Sequence, residues 1–503
     1  MSPPGGNSAR SRALIGASVA VVAAAIPVVV LSGFTVDDAL VPARYAVSLA
    51  QGDGYRASVG APPSDGVTPL GFAHLLVPFA GGGVLAAYDA ARAIGVVAWL
   101  AGAAALGQAI AGIGGSRWRY AALALVATSA PLGGWSVAGL ETGIVAALVA
   151  AGLAAREAGR GAIGALALGA AAAWRPELTP AVVLLAAAGG PAAHRADEPA
   201  VSEAEEVPVA RAMRTVLAGS RRCAVALAPV ALVAAVRLVA FGRAAPLSSI
   251  AKAPVWSLGL AYAGAAALLA GLVAVVAPIG LWRASGWTRA LAAAVAVHVL
   301  AMALAGGDWM PLARLAVPIV PVVVLASARL LASTGSRLPV GAVALVAAVA
   351  LQIFGFARSH RATHAIAPDR RALIEGMRPV LADARVIAAV DVGWVGAAAE
   401  HARIVDLAGI TDPTIAALGG GHTARRLPRT LLADRHVDTV VLLLAAGEDA
   451  SAGAPWTGLR FARGTEAWIA AMPGIEDELA IAHVGAARPR YVVLRRRAPP
   501  PDR

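Results

Sequence analysis

The chain has 503 residues, 58% hydrophobic and 14% charged, with a net charge of +12 and a single cysteine. Soluble globular proteins carry about 25% charged residues, so this composition excludes an ordinary soluble enzyme. Cys223 has no partner for an intrachain disulfide, and its place in an apolar run argues against a thiol nucleophile. Residues 1–356 hold 23 Arg/Lys against 14 Asp/Glu, and residues 357–503 hold 19 against 16. The positive excess therefore lies in the apolar part, where it signals topology and not affinity for nucleic acid.

Arg10 and Arg12 precede an apolar run from Ala13 to Leu31. That run is long for a cleaved leader, and Ser32-Gly33-Phe34 is a poor cleavage context, which predicts an uncleaved first helix. Apolar stretches follow near 88–112, 119–135, 139–155, 161–174, 177–190, 223–241, 257–282, 288–305, 311–332 and 338–356. With the first, they predict eleven crossings of a hydrocarbon core about 30 Å thick, as helices, because lipid offers the backbone no hydrogen-bond partners. The segment 69–80 is too short to span and predicts an interfacial or re-entrant helix.

Basic residues set the orientation. With Arg10 and Arg12 inside, Arg117, Arg119, Arg156, Arg160, Arg283, Arg289, Arg337 and the five arginines of loop 191–222 all fall on the cytoplasmic side. The first outer loop is 34–87, the linker 191–222 is cytoplasmic and flexible, and an odd number of crossings places the C-terminus outside. Residues 1–356 thus form a transmembrane domain. After 357 the apolar runs shorten to strand length at 386–390, 439–444 and 491–494, with helices near 370–383 and 465–471. This predicts an extracytoplasmic α/β domain over 357–503.

Sorted by this topology, Asp37, Asp38, Glu141, Glu177 and Asp308 share the outer side, and Glu157 is the exception. Ionisable groups at helix ends are costly near lipid and tend to be functional. Adjacent carboxylates at Asp37-Asp38 can accept a proton, bind a divalent cation, or simply end a helix in solvent. Lys252 is the only lysine among 42 basic residues, and a compact ammonium meets phosphate as a point charge. Arg175 and Arg237 offer planar forks for phosphate, or snorkel at helix ends. His298, His401 and His422 have no metal-ligand spacing, and Gly419-Gly420-Gly421 lacks the flanks of a phosphate loop.

In order along the chain stand Phe34-x-x-Asp37-Asp38-Ala39, Arg44-Tyr45-Ala46, Gly66-x-Thr68-Pro69-Leu70, Gly139-Leu140-Glu141-Thr142 and Trp174-Arg175-Pro176-Glu177. Arg237-x-x-x-Phe241-Gly242-x-x-x-Pro246, Ala251-Lys252, Gly306-Gly307-Asp308-Trp309-Met310, Arg314-x-x-x-Pro318, Asp391-x-Gly393 and Val405-Asp406-Leu407-Ala408-Gly409 follow. This series resembles the GT-C superfamily of membrane glycosyltransferases, and is most similar to the terminal β-(1→2) arabinofuranosyltransferases of cell-wall assembly and their bacterial relatives. The resemblance implies a polytopic α-helical membrane protein of the bacterial cytoplasmic membrane with a C-terminal periplasmic α/β domain. It implies an inverting transfer of arabinofuranose or a hexose from a polyprenyl-phosphate donor to a glycan or glycolipid acceptor. Asp37 would be the base, and Asp38 would orient it or hold a divalent cation with it; no other cofactor is implied. Arg175, Arg237 and Lys252 would meet the lipid phosphate, and Arg44, Tyr45, Thr68, Glu141, Glu177, Asp308, Trp309 and Arg314 would line the cavity. A transporter or flippase of lipid-linked sugars is the competing expectation; it predicts internal symmetry and broken helices at mid-bilayer, and the chain has no internal repeat.

Overall fold

The computed structural model describes residues 6–191, 208–252, 255–266, 284–308, 310–333, 338–449, 455–486 and 489–497. Much of the expected linker 191–222, the second half of the stretch 257–282, Arg283, Arg337 and Trp309 lie outside the described residues. Chain contacts divide the molecule into two units.

The first unit comprises Met1–Phe34, Arg92–Ala235 and Pro254–His364. Five described helices are long and apolar enough to cross a membrane: Ala9–Val30, Val84–Gly112, Met213–Phe241, Gly286–Leu304 and Arg314–Ser333. The helices Arg117–Ala127 and Ala130–Val137 pass the same test only as a pair, bent by 57°, as in a broken span or a re-entrant loop. The bend has a local cause. Pro131 cannot supply the N–H that would continue the first helix, and Ser129 Oγ accepts the Leu132 N–H (3.3 Å) to cap the second. Gly161–Trp174 and Pro176–Ala187 are shorter apolar helices, separated where Pro176 pushes Arg175 out of helical geometry.

Small residues hold these helices together. A Cβ at Gly107 would run into the backbone of Gly16, and one at Gly143 would lie 2.6 Å from the Gly95 carbonyl. Close backbone approach of this kind is how apolar helices pack when lipid provides no hydrophobic drive. Arg314–Ser333 is almost wholly buried, whereas Leu232, Val236 and Val239 on Met213–Phe241 are exposed, as a lipid-facing helix requires. Glu157, the acid that breaks the sidedness pattern, proves to be internally paired. Its two carboxylate oxygens take Arg329 Nε (2.8 Å) and Nη2 (2.5 Å), and Trp287 Nε1 donates to the first at 2.7 Å.

The second unit gathers Thr35–Ala91, Val236–Ala253 and Ala365–Arg503. The outer-loop residues are thus part of the same unit as the C-terminal chain. Its centre is a sheet of β1 (Val386–Ala389), β2 (Arg403–Asp406), β3 (Thr439–Leu443), β4 (Leu479–Val484) and β5 (Tyr491–Arg496), in the order β2-β1-β3-β5-β4. β1 is parallel to both β2 and β3, while β5 runs antiparallel to β3 and β4. Val405, Val440, Leu442, Val492 and Leu494 meet Trp456 and Ile469 in its core. The expected helices near 370 and 465 are Ile366–Leu381 and Gly464–Ala470, and the segment 69–80 forms Phe72–Leu76 and a 3-10 turn, Val77–Gly82.

The helix Val392–Ala398 follows β1 and packs on the turn and helix that begin at Asp37. Two glycines on one of its faces allow this. A Cβ on Gly393 would strike Asp37, and one on Gly396 would overlap the Arg44 guanidinium. Gly396→Ala is therefore expected to destabilise this unit by about 1–3 kcal/mol, as overpacking does. A thermal unfolding midpoint equal to wild type would show that Arg44 moves aside at no cost.

Candidate functional site

Asp37 and Asp38 open a single 3-10 turn, Asp37–Ala39, that leads into the helix Leu40–Ala50. Both oxygens of Asp37 are engaged: the Gly393 N–H donates to Oδ2 (2.9 Å) and the Trp394 N–H to Oδ1 (2.8 Å). The carboxyl is thereby fixed in orientation, and each oxygen keeps a second lone pair. Burial pushes its pKa up from 3.8 to about 7, helped by the charges of Asp391 and Asp38 and opposed by Arg370 and the Trp394 N–H. Asp391 accepts from Arg463 Nη2 (2.6 Å) and from the Tyr491 hydroxyl (2.5 Å), and Arg370 Nη1 donates to that hydroxyl at 3.3 Å. Burial and Asp391 push the Tyr491 phenol well above its usual range, so it stays a protonated donor.

Among the described residues no three carboxylate, imidazole or thiol groups gather, so a divalent cation at Asp37 and Asp38 would need the remaining lone pairs of the carboxylates together with oxygens of a substrate phosphate.

Arg44 is buried, gives its Nε–H to the Ala57 carbonyl (2.7 Å) and lines a small cavity with Ser48, Ser58 and Glu400. Burial lowers its pKa to about 10, against the pull of Glu400. Tyr45 is wholly interior; its hydroxyl bonds Ser64 Oγ (2.7 Å) and accepts the Gly66 N–H (3.2 Å), so it shapes the loop that carries Thr68. Thr68 Oγ1 meets Ser248 Oγ at 2.8 Å, and its carbonyl accepts from Arg237 Nη2. Arg237 Nε donates to Asp65 Oδ2 at 2.7 Å with both side chains buried. Its charge is compensated within the fold. Lys252 is half-buried and follows the short helix Leu247–Ala251, its N–H on the Ser248 carbonyl (3.1 Å). The carbonyl just before it, that of Ala251, accepts from Arg425 Nη2 at 2.6 Å; the same guanidinium also bonds the carbonyls of Ala408 and Leu418.

The other expected site residues belong to the first unit. Arg175 pairs with Glu141 (2.5 Å) and Glu177 (3.5 Å) and donates to Thr142 Oγ1 at 3.1 Å. Arg314 pairs with Asp308 at 2.9 Å, and its guanidinium lies 5.6 Å from the Trp135 ring centroid. Between them Leu312 and Ala313 adopt left-handed φ of 56° and 43°, costing about 1–2 kcal/mol each. Trp135 Nε1 holds this strained backbone through the carbonyls of Pro311 (3.2 Å) and Leu312 (3.1 Å). His298 is fully buried and ties the two segments, with Nε2 2.8 Å from the Leu315 carbonyl and Nδ1 3.3 Å from that of Glu177. Consecutive strained residues beside a buried ion pair are the kind of stored strain that clusters at functional sites.

Sequence reasoning misses Asp65, Arg370, Arg425 and Tyr491. Asp65 stands in an unremarked Pro-Pro-Ser-Asp-Gly loop, and the others lie far along the chain from their partners. Their one visible signal is the reading of Asp391 and the 405–409 segment as parts of the same motif series as Asp37. No protein-family model, curated protein or solved structure matches the chain.

Proposed function

We propose that this protein is an inverting membrane glycosyltransferase of GT-C type, taking a sugar from a polyprenyl-phosphate donor. The observation that carries the reading is Asp37: an oriented carboxyl with a pKa of about 7, in the loop that follows the first apolar helix. A general base works best when its pKa lies near the operating pH, and its geometry must be held by surrounding groups.

In the reaction, the acceptor hydroxyl oxygen bonds to the anomeric carbon as the bond from that carbon to the phosphate oxygen breaks. Its electron pair leaves with the polyprenyl phosphate, and the hydroxyl proton passes to Asp37. The transition state is oxocarbenium-like, so the base is needed as the nucleophile's charge develops, and cations are needed where the phosphate departs. Within the unit that holds Asp37, the compact ammonium of Lys252 supports that second role. Arabinofuranose and hexose donors both suit this chemistry.

The orientation follows from the arginines: N-terminus in the cytoplasm of a bacterial cell, eleven crossings, residues 357–503 outside. A reporter fused after Arg503 is expected to be active only in the periplasm; cytoplasmic activity would overturn that topology. The function is tested by transfer from synthetic polyprenyl-phosphoarabinofuranose and polyprenyl-phosphomannose to a glycan acceptor by the purified full chain. Transfer from one donor supports the reading. Folded protein that moves lipid-linked sugar across vesicles without transferring it would favour a flippase.

A further inference from the structure

The turn that aims Asp37 is itself held from the sheet. β1 ends at Ala389, and only Val390 and Asp391 separate it from the helix Val392–Ala398. The chain bends there in an inverse γ-turn centred on Asp391: the Val392 N–H donates to the Val390 carbonyl at 3.1 Å, with φ −84° and ψ 77° at Asp391. The Gly393 and Trp394 N–H groups that meet Asp37 come directly after this turn. Both oxygens of the Asp391 carboxylate are taken, Oδ1 by Arg463 Nη2 at 2.6 Å and Oδ2 by the Tyr491 hydroxyl at 2.5 Å. Arg370 donates to that hydroxyl, so the hydroxyl's own hydrogen points to Asp391. Both holders are anchored on the sheet. Tyr491 opens β5 opposite Leu443, the last residue of β3, and its ring meets the Trp394 ring edge-on at 4.5 Å. Glu466 accepts from the Leu443 N–H (3.0 Å), the Arg463 N–H (3.1 Å) and Arg463 Nη1 (3.1 Å), which ties Arg463 to the same end of β3. Only 11% of the Asp391 side chain and 18% of the Arg463 side chain are exposed. An ion pair so far from solvent adds little net stability, because desolvation offsets the attraction.

We propose that Asp391 is a positioning residue for the base: held by Arg463 and Tyr491, it fixes the turn so that the Gly393 and Trp394 N–H groups aim the Asp37 carboxyl. Every group in this series, from Leu443 to Asp37, belongs to the second unit. Without the hold, the turn is free to rotate, and Asp37 keeps its place in the chain but loses its angle. A reacting group misplaced by about 1 Å loses about 10²-fold in rate, so the hold matters to turnover. This inference rests on the reading of Asp37 as the base of sugar transfer and names the residues that keep it in line.

The test reads backbone exchange and turnover in parallel on the purified full chain in nanodiscs. Asn at this position has one carbonyl oxygen and cannot accept from both donors. Asp391→Asn is expected to raise hydrogen–deuterium exchange in peptides spanning 392–398. It should lower kcat for a polyprenyl-phosphosugar about 10- to 100-fold and leave the donor KM within about twofold of wild type. Combined with Asp37→Asn, it should cost nothing further, because Asp391 acts only through Asp37. Tyr491→Phe removes one of the two holds, keeps the ring against Trp394, and is expected to lower kcat several-fold with the same rise in exchange. If Asp391→Asn does not fold, Tyr491→Phe decides. Wild-type exchange over 392–398 in the deciding variant overturns the proposal, and so does raised exchange with unchanged kcat. A loss that multiplies with that of Asp37→Asn also overturns it, by giving Asp391 a role apart from Asp37. Wild-type protein that transfers no sugar removes the transferase reading, and the exchange measurement then decides by itself whether Asp391 aims Asp37.

Discussion

Asp37→Asn is expected to slow sugar transfer by about 10²- to 10⁴-fold, the contribution of a general base, while the protein stays folded. The substitution is nearly isosteric. Asn offers one carbonyl oxygen, so it can accept from Gly393 or Trp394 but not both, and the lost hydrogen bond costs about 1 kcal/mol. Against this, a buried charge is removed. Two pH signatures accompany the effect. The base must be ionised to act, so wild-type turnover should rise with pH through about 7. Stability should move the other way. A carboxyl whose pKa is 3.8 unfolded and about 7 folded binds its proton more tightly in the folded state, so its stabilising contribution is full at low pH and is lost as pH rises between those values. Glu466 and Asp406, raised to about 7 and about 6 by burial, contribute in the same direction. Unfolding midpoints at pH 5 and pH 8 should therefore differ less in Asp37→Asn than in wild type. Turnover within a few-fold of wild type would remove Asp37 as the base and leave it as the anchor of Val392–Ala398.

Arg237→Gln is expected to destabilise the protein by about 3 kcal/mol, because it takes from the buried Asp65 carboxylate its hydrogen-bonded ion-pair partner and leaves only the electrostatic interaction with Arg243. The Thr68 carbonyl loses its donor at the same time. Replacing both partners by apolar residues, as Arg237→Leu with Asp65→Leu, should recover most of the loss, since a buried pair exchanged for packed side chains is often close to neutral. Thermal unfolding of the two singles and the double separates these terms. A single Arg237→Gln variant as stable as wild type, with donor binding lost, would return Arg237 to direct contact with phosphate.

The apolar helices were legible because lipid demands long uncharged runs, and the bend after Ala127 could be traced to Ser129 and Pro131 once seen. β1, β3 and β5 stood out as compact apolar runs. β2 did not, because Arg403–Asp406 is four residues flanked by charge, and β4 did not, because Leu479–Val484 is a half-buried edge strand. Asp37 was visible as an acid beyond the first helix. What orients it was not, because the two N–H groups belong to a helix more than 350 residues away whose glycines look like ordinary spacing. Arg175 and Arg237 were visible as forks, but a fork does not announce in sequence whether a carboxylate already fills it. Here Glu141 and Asp65 do.

The bonds from Gly393 and Trp394 to Asp37 also set a clock. They join residues 356 and 357 positions apart, so at ribosomal speeds of about 5–20 residues per second the carboxyl waits roughly 20–70 s after its own synthesis for the groups that aim it. A nascent chain halted anywhere before residue 393 carries the acid without its orientation. If Asp37 is the base of a sugar transfer, arrested or truncated copies would therefore be inert, a consequence of chain order alone.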